Sequence, residues 1–460
     1  MANVDVDSES VCLWGIRPSV QSIRCRWLCV VHYLKLVDVE FVLGATHGAE
    51  MFATDGTARG SSASGTPRFL HHHINACTVC TRDGTSLKDC SPGLSVHDLG
   101  GILMLYAFGS NGSCQLGLGP GVDDPSAPQE VKGFRFTLEY INHFTAGGNH
   151  TLIVDAFGHV LGAGNDEDGR CGHVTTDYQT QPYFTSFTTP QSIKQAAATW
   201  STSAVLDGQG RHVWTIGTGN SGELGLGRET ARTVDWQSLP DFPPSATTIV
   251  QLTSCMAHMV AVLSNGEVYG WGKGRKGQLG LPAEDVWSPR KIQNIPFAVV
   301  RAVCGKDFTC VFGDPAQGQT LVLGVGSNDR FGLRANAPSA VPHWKDVAAS
   351  WGSIYILKDS GELIAWGRDD HGQLPPPGLP LIETISAGSE HCLALTKTGD
   401  VLAWGWGEHG NCGEPTDANG DVKGWWNVIS VPLPARSLFA GCATSFIVTD
   451  EESQQTCDTR

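Results

Sequence analysis

The sequence predicts an all-β fold: a seven-bladed propeller of four-stranded blades, closed by its N- and C-terminal strands and preceded by a non-repeating segment. Three observations carry this. The chain of 460 residues holds 56 glycines, about 12 % against a usual share of roughly 7 %. A glycine phrase recurs seven times, and a second, histidine-bearing phrase recurs between its copies. The first copy of one phrase and the last copy of the other stand alone at opposite ends of the repeat region.

The glycine phrase has the form apolar-Gly-x-x-x-x-Gly-x-x-Gly. Its copies begin at Phe108-Gly109, Ala163-Gly164, Ile216-Gly217, Trp271-Gly272, Leu323-Gly324, Trp366-Gly367 and Trp404-Gly405. Successive anchor glycines lie 55, 53, 55, 52, 43 and 38 residues apart. Glycine at such points supplies turns of positive φ and lets neighbouring backbones approach closely.

The second phrase, small-Gly-x-x-His followed by apolar residues, is clearest at Ala146 to Val154, Ser254 to Val262 and Ala387 to Leu395. Degenerate copies run from Thr199 to Leu206, Val303 to Phe312 and Ser350 to Leu357. A seventh, Ala440 to Val448, is an orphan near the C-terminus, just as the first glycine phrase is an orphan near residue 104. Each full unit contains about four short apolar runs, the content of one blade. A blade cannot bury both faces alone, so blades must stack in a ring. Pairing the two orphans gives seven whole blades and leaves no sheet edge open at the closure.

The domain boundaries follow. Residues 104–449 are the propeller and 450–460 a flexible tail. Residues 1–103 carry neither phrase and read as disordered or as an over-extended leader, with Met104 the expected start. This segment contains the cluster His71-His-His73, Cys77-Thr-Val-Cys80 and Cys90. Only one Cys-x-x-Cys is present, whereas a structural zinc site normally takes two paired ligand sets, so no metal and no cofactor is expected.

Composition narrows the function. Lys and Arg number 31 against 46 Asp and Glu, a net charge of −15; residues 104–460 alone carry −13. Such a surface repels phosphate backbones, which disfavours nucleic acid and favours a basic protein surface as partner. The 15 cysteines are irregularly spaced in a long chain and read as reduced thiols. The N-terminus is acidic, and the most apolar early stretch, Trp27 to Leu34, is too short to span a bilayer. The expectation is a monomer of the cytoplasm or nucleus, without a membrane segment.

No phosphate-cradling Gly-x-x-x-x-Gly-Lys-Ser/Thr, His-Glu-x-x-His or Gly-x-Ser-x-Gly elbow in a strand–helix context occurs, so no catalytic enzyme is expected. His150, His258 and His391 recur at one repeat position. They read either as structural rings bonding a neighbouring turn or as a ring of polar groups on one face. Trp271, Trp366 and Trp404 share another position and read as inter-blade core. Trp406, Glu408, His409, Trp425 and Trp426 fall outside the repeat and are candidate partner contacts, with burial against the closing blade as the alternative. Lys273, Arg275 and Lys276 make the densest basic loop, while Asp166 to Asp168 and Asp369 to His371 are acidic at equivalent positions. These describe either a charge-polarised face or a plain solvated rim.

Both phrases resemble the repeats of the regulator of chromosome condensation family. Within it, Trp404-Gly-Trp-Gly-Glu-His-Gly-Asn-Cys-Gly413 looks like the C-terminal signature of the fungal alpha-tubulin suppressor proteins, and is similar to the secretion-regulating exchange-factor-like proteins of animals. The resemblance implies a non-enzymatic, regulatory protein-interaction propeller, linked to microtubules or to tRNA and translation-factor modification complexes. Its partner would be a small GTPase, a tubulin-related protein or a small metal-binding protein. It also leaves open guanine-nucleotide exchange on a small GTPase, and substrate binding for ubiquitin ligation. For exchange, the family's acidic and histidine face residues match Asn149-His150, Ala257-His258, Asp307-Phe308 and Glu390-His391 here, and only Asp307 and Glu390 keep an acid.

Overall fold

The structure is a computed structural model that describes residues 13–14, 24–26, 39–40, 102–137, 141–172 and 179–450. It divides into two units, Met1–Asp98 and Leu99–Arg460. In the first, β1 (Leu13–Trp14), β2 (Arg24–Arg26) and β3 (Val39–Glu40) pair antiparallel in that order. The remainder of the expected leader, its Cys/His cluster and the 451–460 tail lie outside the described residues.

The second unit is the propeller. Its chain enters through β4 (Ile102–Gly109) and β5 (Gln129–Thr137). Blade 2 is β6 (Ile141–Ala146), β7 (His150–Asp155), β8 (Val160–Asn165) and β9 (Thr180–Phe187). Blade 3 is β10 (Ile193–Ala198), β11 (Thr202–Asp207), β12 (Val213–Thr218) and β13 (Arg232–Ser238). Blade 4 is β14 (Ile249–Cys255), β15 (His258–Leu263), β16 (Val268–Gly272) and β17 (Val286–Lys291). Blade 5 holds β18 (Arg301–Cys304), β19 (Phe308–Phe312) and β20 (Thr320–Gly324). Blade 6 holds β21 (Trp344–Ala349), β22 (Ser353–Lys358) and β23 (Leu363–Gly367). Blade 7 is β24 (Ile382–Ala387), β25 (His391–Thr396), β26 (Val401–Trp406) and β27 (Asp421–Ile429).

The last two strands, β28 (Ala435–Ala440) and β29 (Thr444–Asp450), complete blade 1 in the order β28-β29-β4-β5. β29 runs antiparallel to β4 from Thr444↔Gly109 to Asp450↔Leu103. The two orphan phrases therefore close the ring without a covalent link, as the repeat offset predicts.

Blades 5 and 6 lack a regular outer strand. In blade 5 that position keeps a single antiparallel bridge, Gln319↔Ala340. In blade 6 the chain runs through Pro375-Pro-Pro-Gly-Leu-Pro380, and proline has no N–H to offer a ladder. These are the blades followed by the short 43- and 38-residue glycine spacings, and the missing strand accounts for the difference.

The second strands β7, β11, β15, β19 and β25 are buried at every position, because each is sandwiched between two neighbouring blades. The anchor glycines close this packing. All seven have φ between +98° and +124°. A Cβ on Gly405 would lie 2.6 Å from the carbonyl oxygen of Glu390, so the backbone itself fills the space a side chain needs. The periodic excess of glycine is a periodic close contact between the third strand and the turn before the second.

Candidate functional site

Strand direction alternates within each blade, so two connections emerge on the same face: the Gly-x-x-His turn after the inner strand and the glycine-phrase loop after the third. We call this the turn face. The seven inner strands β6, β10, β14, β18, β21, β24 and β28 surround a central channel of about 570 Å³.

The recurring histidines lie behind this face, not on it. His150, His258 and His391 are 0–1 % exposed. Their Nε2 atoms bond Ser203 Oγ (2.9 Å), Thr309 Oγ1 (3.1 Å) and Ser445 Oγ (3.0 Å) in the next blade. Ser203 and Ser445 donate their own hydroxyl protons to the Arg170 and Asn411 carbonyls, at 2.6 and 2.7 Å. At those two sites Nε2 must therefore carry the proton and donate it. Where the first residue of the second strand is not histidine, as at Thr202, Phe308 and Ser353, the facing position in the next blade is Met259, Ile354 or Cys392. The histidines are bolts between blades, and of their two readings the structural one holds.

Burial holds these rings far below the usual imidazole range: His150 and His391 at about 3, His258 at about 4. Nearby Arg170 adds to the effect at His150, and Lys273 at His258. Unfolded, they titrate near 6.5. The unfolded chain thus takes up protons first, so their stability contribution is complete above pH 6.5 and is lost as the pH falls toward 4. We expect each histidine to cost about 1 kcal/mol of stability at pH 5.5 relative to pH 7. Urea denaturation at both pH values, with His391→Gln reducing the difference, checks this; an unchanged difference would refute it.

Glu390, expected as an acid on the face, is only 3 % exposed. It bonds the Arg368 guanidinium and accepts from Gln373 Nε2 at 2.8 Å. Burial raises its carboxyl above the ordinary range, only partly offset by Gln373 and Arg368. Arg368 also donates Nε–H to Asp370 at 2.5 Å. Asp168 is likewise buried, gripped by Arg170 at 2.6 and 2.7 Å. Much of the acidity expected on these loops is therefore spent inside the protein. Asp307 stays half-buried at the surface, 3.9 Å from the Lys273 ammonium.

The non-repeating residues separate into two places. Trp406 is half-buried on the turn face, its ring stacked on His371 at 5.2 Å and 6.3 Å from His409. His371 Nδ1 bonds Asp421 (2.9 Å), and His409 Nδ1 reaches Asp124 of the closing blade (2.8 Å). Glu408 is exposed beside them. Trp425 and Trp426 instead lie on β27, the outer strand of blade 7. Trp425 is 37 % exposed there and Trp426 packs on the core, so the structure does not gather them with the rest.

Sequence reasoning missed the pair at the channel mouth. Trp200 and Trp351 come from blades 3 and 6, yet their rings meet at 6.2 Å with a 44° tilt, spanning the opening. Trp200 is 42 % exposed and lies against Gly148, where a Cβ would come within 2.6 Å of its ring. Turn-to-turn hydrogen bonds fix the pair: Gly148 N–H to Trp200 O (3.2 Å), Trp200 N–H to Met256 O (2.7 Å), Trp351 N–H to Ser389 O (2.9 Å). Both tryptophans sit two residues before the second strand, a position held elsewhere by Gly148, Met256, Lys306, Ser389 and Cys442. Reading that variable column across the repeats would have found them.

The channel, the Trp200–Trp351 pair and the Trp406 cluster form a rigid, aromatic, mixed-charge face suited to another protein. Comparison with known proteins agrees with the fold. A model described as the RCC1-like domain matches residues 104–452. An RCC1 repeat-containing protein of Schizosaccharomyces pombe is 31 % identical over 372 residues, covering 76 % of this chain and 99 % of that protein. The secretion-regulating guanine nucleotide exchange factor of Mus musculus is 26 % identical over 392 residues, covering 74 % of this chain and 82 % of that protein. Among solved structures, Prp20p of Saccharomyces cerevisiae, described with its binding to Gsp1p and histones, superposes with a TM-score of 0.66 at 21 % identity, over 78 % of this chain and 93 % of that one. Phrases, seven-bladed closure and matched family model together establish that this chain belongs to the RCC1-like domain family.

Proposed function

We propose that the chain is a regulatory protein-interaction propeller that docks its partner on the turn face. The Trp200–Trp351 pair supports this most directly. Two large rings, held by backbone bonds from nearly opposite blades, Trp200 exposed and Trp351 half-buried, have the character of interface hot spots. Trp406, His409 and Glu408 extend the same face toward the closing blade, where Asp123 and Asp124 add the acidity a basic partner surface would meet. The test is affinity capture with the full chain. Trp351→Ala is expected to lower recovery of the specific partner at least about tenfold, the loss of a central aromatic anchor, while leaving the thermal midpoint nearly unchanged. Equal recovery by Trp351→Ala and by a Trp351→Ala/Trp406→Ala double variant would overturn the turn-face assignment.

A second reading, nucleotide exchange on a small GTPase, is favoured by the exchange factor among the relatives. It predicts faster release of a fluorescent guanine nucleotide from a cognate GTPase when the chain is added. Failure across a panel of small GTPases removes that reading and leaves docking standing. The microtubule- and tRNA-linked roles rest on the resemblance of Trp404 to Gly413, and recovery of a tubulin-related or small metal-binding protein in the capture would support them.

A further inference from the structure

The turn face is electrically lopsided. In a chain of net charge −15, the glycine-phrase loops and turn of blades 4 and 5 carry Lys273, Arg275, Lys276, Lys306, Arg330 and Arg334 against Glu284, Asp285, Asp307 and Asp329, and Glu284 is taken by Arg290 at 3.0 Å. Asp285 is taken by Arg275 at 2.6 Å, and Asp329 accepts backbone N–H groups of Leu333, Arg334 and Ala335 at 2.7–2.9 Å. Across the face, blades 7 and 1 present Asp123, Asp124, Glu408 and Glu414. The charge division thus runs between blades 4 and 5 and blades 7 and 1, and not to the Asp166–Asp168 and Asp369–His371 loops, where Asp168 and Asp370 are taken by Arg170 and Arg368.

The basic residues form one arc. Gly326 N–H donates to Lys276 O at 3.0 Å, tying the loop of blade 4 to that of blade 5. Arg334 donates to the carbonyls of Gly324 and Gly326 at 2.5 and 3.2 Å. The Lys306 ammonium lies 5.6 Å from the centre of the Trp351 ring, and the Arg330 guanidinium 5.0 Å from that of Phe331. Phe331 shares its ring with Arg368 at 5.6 Å, which joins the arc to the Arg368–Glu390 cluster.

Some of the described cations are paired with carboxylates and others, such as Arg228, Lys397 and Lys423, are not; this arc gathers four of the unpaired ones on two adjacent blades. Arg170, Arg290, Lys291, Lys345 and Arg368 each meet a carboxylate. Lys276, Lys306, Arg330 and Arg334 are exposed, and among the described residues none has a carboxylate oxygen within 4 Å of its cationic end. Lys306 and Arg330 each lie over an aromatic ring, which orders the side chains without neutralising them. The arrangement is complete once an anionic partner group arrives.

We infer that this basic arc on blades 4 and 5 docks an acidic peptide segment of the partner, beside the Trp200–Trp351 pair. The inference rests on the turn face being the docking face. A peptide fits better than a nucleic acid. A short acidic segment needs only the few charges the arc offers, whereas a phosphate backbone would continue onto the acidic blades 7 and 1 and into the field of the chain's net negative charge. The partner would then be bipolar, acidic over blades 4 and 5 and basic over blades 7 and 1, which fixes its orientation.

The experiment is fluorescence anisotropy at low salt, with the full chain titrated into a short labelled Glu-rich peptide, a Lys-rich peptide of equal length and a single-stranded DNA of equal charge. The Glu-rich peptide is expected to bind, to weaken as salt is raised, and to lose at least about tenfold in affinity with Lys276→Glu/Lys306→Glu/Arg330→Glu. Lys397→Glu, an exposed charge reversal in the turn after β25 on the opposite face of the ring, should leave the peptide's affinity nearly unchanged. All three reversed residues are exposed, so circular dichroism should report an unchanged fold. Absence of Glu-peptide binding, unchanged affinity in the triple variant, or tighter binding of the DNA would each overturn the inference. Capture of the partner distinguishes the two levels: if Trp351→Ala loses it and the triple variant keeps it, the docking face stands and the acidic segment falls. If both variants keep it, both readings fall.

Discussion

Deleting residues 431–460 is expected to leave a chain that no longer folds as a monomer. The deletion removes β28 and β29, and with them the partner that β4 uses along its whole length, from Gly109 to Leu103. It uncovers Leu105, Ala107 and Phe108, all fully buried in the intact ring, and removes the fully buried Phe446 and Ile447. Each large side chain lost or exposed costs about 1.5–3 kcal/mol, so a handful of them matches the roughly 5–15 kcal/mol that holds a typical domain together. The deletion also strands His391 without Ser445, its acceptor in the next blade. A freed edge at β4 would offer its ladder groups to other chains, so aggregation should accompany the loss. The informative control is a circular permutant that begins at Ala435, joins Asp450 to Ile102 through a short turn and ends at Ser430. Asp450 and Leu103 are already paired across adjacent strands, so the permutant should keep the native elution volume and thermal midpoint. A truncated chain with native elution and melting behaviour would show that the closure is dispensable.

The ring and its closure were legible because their cause is local. Each anchor glycine answers to its own φ and to a carbonyl in the turn before the second strand of its blade, which precedes it in the chain for all but Gly109, whose contact is Ala443 across the closure. The phrase repeats wherever the contact does. The missing outer strands of blades 5 and 6 were visible as the 43- and 38-residue spacings and the proline run after Leu374, though a four-strand count does not use them. The site was less legible because its causes are remote. Whether His150 faces solvent or a neighbouring blade depends on Ser203, 53 residues away, and the matching Ser, Thr and Ser at 203, 309 and 445 become meaningful only when one repeat is read against the next. Glu390 kept the acid of the family position, but Arg368 and Gln373, brought in from the loop of blade 6, neutralise and bury it. Trp200 and Trp351 stand in degenerate copies of the phrase, where the residues that break the period replace those that define it. Their meeting across the channel is a property of ring closure that no single repeat contains.

Trp404→Ala is expected to destabilise the propeller by about 3–5 kcal/mol, whereas Trp425→Ala, in the same blade, should stay within about 0.5 kcal/mol of wild type. Trp404 is fully buried, and its indole N–H donates to the Gln373 carbonyl of blade 6 at 3.1 Å. That carbonyl also accepts from the Tyr355 hydroxyl at 2.7 Å, and the Gln373 side chain reaches Glu390 and Asp370. Removing the indole therefore opens a large cavity between blades 6 and 7 and loosens the loop that carries the Arg368–Glu390 pair. Trp404→Phe keeps most of the volume and leaves the carbonyl bonded to Tyr355, so its cost should be smaller, about 1–2 kcal/mol. Trp425 is 37 % exposed on the outer strand β27, so its truncation opens no enclosed cavity. Urea denaturation of the three variants separates the roles. Equal losses at 404 and 425 would contradict the inter-blade assignment. A large loss confined to Trp404→Ala would show that the tryptophans following the repeat build the ring. Trp425, which departs from the repeat, would then be dispensable to the ring, whereas Trp404, which follows it, is not.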